Sequence, residues 1–172
     1  VNSIFKFSSG AGAVNGNQNT KEQLQRIDLT GVANAANTTI TLTATKSLTH
    51  GGDGMAATGE VVATNLSLGA VNLDGDLGRI LSDSLKSLTT QSIGRYGTST
   101  GATDLHSQIF GKVDTLTVKG DVKGAYLDIR IGSQDPAHIG TLSIGGSLFG
   151  LTDNTGWVRA DSIDSVSIKG DL

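Results

Sequence analysis

Three aspartates recur at one position of a short glycine turn: Asp76 in Leu73-Asp74-Gly75-Asp76-Leu77, Asp121 in Val118-Lys119-Gly120-Asp121-Val122 and Asp171 in Ile168-Lys169-Gly170-Asp171-Leu172. A fourth copy, Ile144-Gly145-Gly146-Ser147-Leu148, carries Ser147 there instead. If such turns stack as neighbouring strands do, about 4.8 Å apart, solvated like charges repel by roughly 1 kcal/mol per pair. A Ca²⁺ ion would relieve this, with Asp74, Asp76, Asp121 and Asp171 as hard oxygen ligands beside nearby carbonyls. The plainer reading is that each Asp accepts hydrogen bonds from turn amides while Lys119, Lys123 and Lys169 supply compensating charge. Ser147 interrupts the series, and the tandem G-G-x-G-x-D calcium repeat is absent. The expectation is therefore no resident metal or cofactor.

Two further sets of residues have chemical potential. Ser87 and Thr89, Thr115 and Thr117, Thr141 and Ser143, and Ser165 and Ser167 alternate with apolar residues, so they should point outward on one face. Such hydroxyl rows suit ice or glycans, but mixed Ser and Thr equally suit an ordinary exposed sheet that resists aggregation. Asp128 and Arg130 share a strand face, with Arg159 and Asp161 one repeat further on. A charged patch of this kind is what a polysaccharide lyase or hydrolase would need, although alternating charges on a strand also simply keep it soluble. Trp157, the only Trp, is either a cap over the core, the expected role, or an exposed platform for a sugar ring. His50, His106 and His138 are isolated, read as loop residues, and have no second ligand at metal spacing. Nothing local resembles a nucleophile elbow, so no catalytic residue is expected.

These residues must be positioned by a repeat. Leu85-Lys86-Ser87-Leu88-Thr89-Thr90, Val113 to Val118, Ile139 to Ile144 and Ile163 to Ile168 align, placing Leu88, Leu116, Leu142 and Val166 in one column at spacings of 28, 26 and 24 positions. Apolar residues alternate within each copy, the period of a strand with one buried face. Tyr126 to Ile131 and Trp157 to Ala160 read as strands between the copies. A unit of about 25 residues with two or three short strands and Gly at its corners is the size of one coil of a β-solenoid. The fold expected is all-β: a right-handed parallel β-helix of about 5–6 coils, with a β-sandwich as the alternative. Residues 1–172 form one domain in this reading, with an irregular N-terminal or cap part over 1–65 and regular repeats over 66–172. Within the first part, Thr20 to Leu24 fits a helix start with Thr20 and Gln23 as a capping box, or else a strand runs from Leu24 to Leu29. Residues 94–108 read as a protruding polar loop.

The unit Ile139-Gly140-Thr141-Leu142-Ser143-Ile144-Gly145-Gly146-Ser147-Leu148 and its copies resemble the I-G-x-L-x-I-x-G-D-L repeats of large secreted bacterial surface proteins of the adhesin type. The resemblance covers residues 66–172 and implies an extracellular or cell-surface location with a scaffold or adhesion role. It brings no catalytic residues, because its motif consists of structural positions.

Composition agrees with that class. The 172 residues include 24 Gly, one Pro, no Cys and 4% aromatics, and the formal net charge is -3. Zero Cys excludes disulfides and cysteine-based metal sites. The acidic balance gives no electrostatic case for nucleic acid, and no apolar run reaches the roughly 20 residues of a membrane-spanning helix. Val1 fits a processed product or an excised fragment equally well. Because the last repeat stops at Leu172 where other copies continue, further repeats of a longer chain or another copy are expected to cover that end. Ile4, Phe5 and Phe7 form an apolar stretch that either adds a strand across such a junction or folds back on its own chain.

Overall fold

Short runs of Val, Ile, Leu and Thr that alternate with polar residues form strands because each can bury one face and solvate the other. In a computed structural model, which describes residues 4–8, 23–46, 53–130, 136–153 and 155–172, these runs become twelve strands. They are β1 (Phe5–Phe7), β2 (Leu24–Asp28), β3 (Ile40–Leu42), β4 (Thr58–Ile93), β5 (His106–Phe110), β6 (Lys112–Val118), β7 (Val122–Lys123), β8 (Tyr126–Arg130), β9 (His138–Ile144), β10 (Leu148–Phe149), β11 (Trp157–Arg159) and β12 (Ser162–Ile168).

All twelve belong to one curled sheet, whose main path is β11-β8-β5-β4-β6-β9-β12. Every pairing is parallel except that of β1 with β2. Strand β4 causes the curl. Its successive segments pair with β2, β3, β5, β6 and β7, so one continuous strand serves several faces. Parallel pairing of this extent is not the antiparallel pattern of a sandwich; it is compatible with a solenoid-like fold. Among the described residues no helix is long and apolar enough to cross a membrane.

The repeat column appears in register. Leu88 pairs with Leu116, Leu116 with Leu142, and Leu142 with Val166; Val118, Ile144 and Ile168 follow beside them. Leu88, Leu116, Val118 and Ile144 are fully buried, while Val166 on the last strand is 54% exposed. Along the other face, Ile27 pairs with Val61 and Ser107 with Leu127; Ile27, Val61 and Leu127 join the same apolar core, while the buried Ser107 Oγ accepts from the Ile80 amide.

The first 65 residues contribute to the sheet as well: Leu24, Arg26, Ile27 and Asp28 of β2 pair in parallel with the start of β4. The strand reading from Leu24 thus holds, and Thr20 to Glu22 lie outside the described residues. Residues 94–108 do not protrude. A 3₁₀ turn over Gly97–Thr100 ends at Gly101, and Thr100 and Ala102 are buried against β4 before the chain enters β5. The segment packs there because Gly59 and Gly78 leave space: a Cβ on Gly59 would sit 2.8 Å from the Ala102 nitrogen, and one on Gly78 would sit 2.7 Å from the Ala102 Cβ.

Candidate functional site

The glycine turns stack, and their aspartates are not neighbours. Ile93 pairs with Val122 and Val122 with Leu148, which sets Ser92, Asp121 and Ser147 on successive levels. The complete ladder is Asp76, Ser92, Asp121, Ser147, Asp171, with Asp and Ser alternating. Ser92 Oγ donates to Asp76 Oδ1 at 2.7 Å, the Ser147 amide donates to Asp121 Oδ1 at 2.8 Å, and the Asp171 amide donates to Ser147 Oγ at 3.0 Å. Asp76 also accepts from the amides of Arg95 and Tyr96 at 3.0 and 3.2 Å. Each serine separates two carboxylates by about two strand spacings, so the repulsion that would call for a cation is about halved. Asp74, outside this ladder, uses its carbonyl to accept from the Ala56 amide. The lysines are not needed for compensation either: no carboxylate lies within ion-pair distance of Lys119, Lys123 or Lys169 among the described residues. No group of three or more His, Cys, Asp or Glu converges to hold a metal among the described residues. Adding a chelator should leave the melting temperature unchanged in a calorimetric scan. A drop of several degrees, reversed by Ca²⁺, would place an ion in this ladder by linkage.

Outward rows of hydroxyls lie where the alternation places them. Ser87, Thr115, Thr141 and Ser165 are in register, as are Thr89, Thr117, Ser143 and Ser167. All eight are at least partly exposed.

The third surface follows β5, β8 and β11. His106 pairs with Tyr126 and Tyr126 with Trp157, so three rings from distant parts of the chain stand on consecutive levels. His106 and Tyr126 stack at 4.5 Å, and Tyr126 meets Trp157 edge-on at 5.8 Å. Trp157 is 50% exposed, so it neither fills nor caps the core. Beside the rings, Asp128 is buried, with Arg130 bonded to its carboxylate and His106 Nε2 at 3.5 Å. Arg159, opposite Asp128 on β11, is held above its ordinary pKa first by a hydrogen bond to Tyr126 and then by the charges of Tyr126 and Asp128, with Asp161 adding to this. The stripe continues toward the N-terminus through Glu60, 3% exposed, which accepts from Arg79 at 2.8 Å and lies 3.4 Å from Arg26. Arg79 in turn reaches Asp104 at 2.8 Å.

His106 and His138 open strands instead of sitting on loops, and His138 lies within reach of Ser162 Oγ at 3.0 Å and Asp164 at 3.3 Å. His50 lies outside the described residues. Sequence reasoning missed Ser92 because Thr90-Gln91-Ser92-Ile93 lacks the glycine, has Thr90 opposite the apolar Val118 and is one residue shorter than Val118 to Val122, so a search at the spacing of the other turns passes over it.

Of the assembly residues, Phe5 and Phe7 lie on β1, which pairs antiparallel with β2 of the same chain, and the Ile4 carbonyl accepts from the Asp28 amide. Leu172, at the other end, is 88% exposed. Removing residues 1–7 bares the outer edge of β2, so light scattering should show more concentration-dependent association than the full chain gives. Unchanged mass at high concentration would mean that β1 does not protect this edge. No family model, curated protein or solved structure matches the chain.

Proposed function

We propose that the chain is a non-catalytic structural or adhesive module of a secreted or cell-surface bacterial protein, built as a right-handed parallel β-helix of about 5–6 coils. The observation that carries this reading is the shared register of the aliphatic column and the Asp/Ser ladder. The apolar residues and the turn Asp and Ser that recur from repeat to repeat are occupied in packing or in hydrogen bonds between levels. Such a stack makes a stiff rod, since neighbouring levels are joined by backbone ladders and side-chain contacts at once. At its last level Val166 and Leu172 are exposed, and further repeats or another copy of the chain would extend the rod from there.

The second reading is a polysaccharide-binding or polysaccharide-degrading β-helix. The half-exposed Trp157 beside Tyr126, with Arg159 at hand, favours its binding form. Degradation draws less support, because the carboxylate of Asp128 is engaged by Arg130. The experiment is incubation with acidic and neutral polysaccharides, following reducing ends and unsaturated uronates, beside antibody labelling of intact cells. Surface labelling without turnover is expected. Turnover abolished by Asp128→Asn would replace the scaffold reading with an enzyme, and label confined to lysed cells would remove the surface location.

A further inference from the structure

Where the turn ladder meets the 3₁₀ segment, an open groove of about 470 Å³ runs across several levels of the stack. Arg95, Lys119 and Lys123 line it together with one carboxylate, Asp121, and two apolar side chains, Met55 and Phe149. None of the three cations has a carboxylate within ion-pair distance among the described residues; the Arg95 guanidinium only lies over the Tyr96 ring at 5.4 Å. The Asp/Ser alternation explains why. Asp121 takes its hydrogen bond from the Ser147 amide, and Asp76 is satisfied beneath by Ser92 and two amides, so the lysines of the turn are not consumed by the aspartates. Three unpaired positive charges therefore converge on one groove of a chain whose net charge is -3.

We infer that this groove binds the carboxylates of an acidic polysaccharide of the uronate type. Anions spaced one per sugar suit cations set apart on two levels, Arg95 on one and Lys119 and Lys123 at the two ends of the turn on the next. The apolar sides of Met55 and Phe149 offer contact to the C–H faces of sugar rings, and Asp121 Oδ2 is left to accept from a sugar hydroxyl. A nucleic acid is disfavoured because phosphate-dense ligands need an extended basic field, and an acidic chain with three local cations does not provide one. An acidic peptide is disfavoured because strand addition needs a free ladder. Here the Gly120 amide already donates to Gln91 O, and the Gly146 amide to Gly120 O. This reading goes beyond the scaffold proposal and does not depend on it, since a rigid module without glycan affinity would still be a scaffold.

The test is titration calorimetry of the full chain with an oligogalacturonate at low and high salt. Binding at low salt that weakens with added salt is expected. The double variant Lys119→Gln/Lys123→Gln should weaken it about tenfold or more, with its circular dichroism unchanged because both side chains lie at the surface. Lys112→Gln should bind like the parent, as Lys112 lies outside the groove beside Asp114. The inference is overturned by an absence of binding, or by equal affinity of parent and double variant. It is also overturned if a neutral oligosaccharide of equal length, a short oligoglutamate, monomeric galacturonate or inorganic phosphate binds as tightly. The last two would reveal a small-anion site only. None of these failures touches the turnover and labelling results that decide the scaffold reading.

Discussion

Leu116→Ala is expected to lower the unfolding free energy by about 2–5 kcal/mol, whereas Val166→Ala should cost less than about 1 kcal/mol. Both residues occupy the same column, Leu116 within it and Val166 in its last copy. The difference lies in what stands above and below. Leu116 is fully buried between Leu88 and Leu142, each in register with it on a neighbouring strand. Truncation there leaves a hole bounded by two levels whose backbones are fixed by parallel ladders, so the site can collapse only partially. Val166 has Leu142 on one side and is 54% exposed, so removing its methyl groups takes little surface back into water. Urea denaturation followed by circular dichroism gives both values. Equal costs for the two variants would mean that the column does not grade from a closed interior to an open end. If the chain is extended by further repeats or by another copy, the Val166 value should rise toward that of Leu116, which makes the pair a gauge of end-to-end assembly.

The column was legible because it depends on local alternation and a conserved turn, both carried by contiguous residues such as Val113 to Val122. Other parts depend on chain length between strands, and that follows no period here. The Gln91-Ser92 turn is hidden because it lacks the glycine found in the other four and is one residue shorter than Val118 to Val122. That glycine is required where the next level stacks directly on it: a Cβ on Gly120 would lie 2.8 Å from Gln91 O. The His106, Tyr126 and Trp157 stripe was equally hidden. Its members are joined by connections of different length, so their neighbourhood exists only once the register of β5, β8 and β11 is known. The buried Glu60 belongs to the same class. Its partners Arg26 and Arg79 come from separate levels, and only the pairing of β2 with β4 reveals why an acidic residue can sit 3% exposed in the part that reads as irregular. Trp157 shows the converse. A lone Trp in an aliphatic chain reads as core, yet a narrow interior filled with Leu, Ile and Val has little room for an indole, and the ring lies outside on Tyr126.

Along the Asp/Ser ladder, the cost of removing a carboxylate should fall steeply from Asp76 through Asp121 to Asp171. Asp76→Ala is expected to cost about 3 kcal/mol or more, since it leaves a buried serine hydroxyl and two amides without their acceptor, each worth about 1–3 kcal/mol when unsatisfied. Those donors are Ser92 Oγ and the backbone nitrogens of Arg95 and Tyr96, and Asp76 itself is 2% exposed. Asp76→Asn should recover only part of this, because an amide side chain has one acceptor oxygen where three donors converge on two. Asp121→Ala frees a single exposed amide, that of Ser147, so about 1 kcal/mol is expected. Asp171→Ala should fall within about 0.5 kcal/mol of the parent, because the bond it makes along the ladder is donated by its backbone to Ser147 Oγ and survives the substitution. The amides of Arg95 and Tyr96 begin the segment that leads into the 3₁₀ turn, so Asp76→Ala should also speed hydrogen exchange there, while the amides of β6 and β9 keep their protection. Equal costs at Asp76 and Asp171, or unchanged exchange at residues 95 and 96, would mean that the recurring Asp is a feature of turn composition and that the levels are held by their backbones alone.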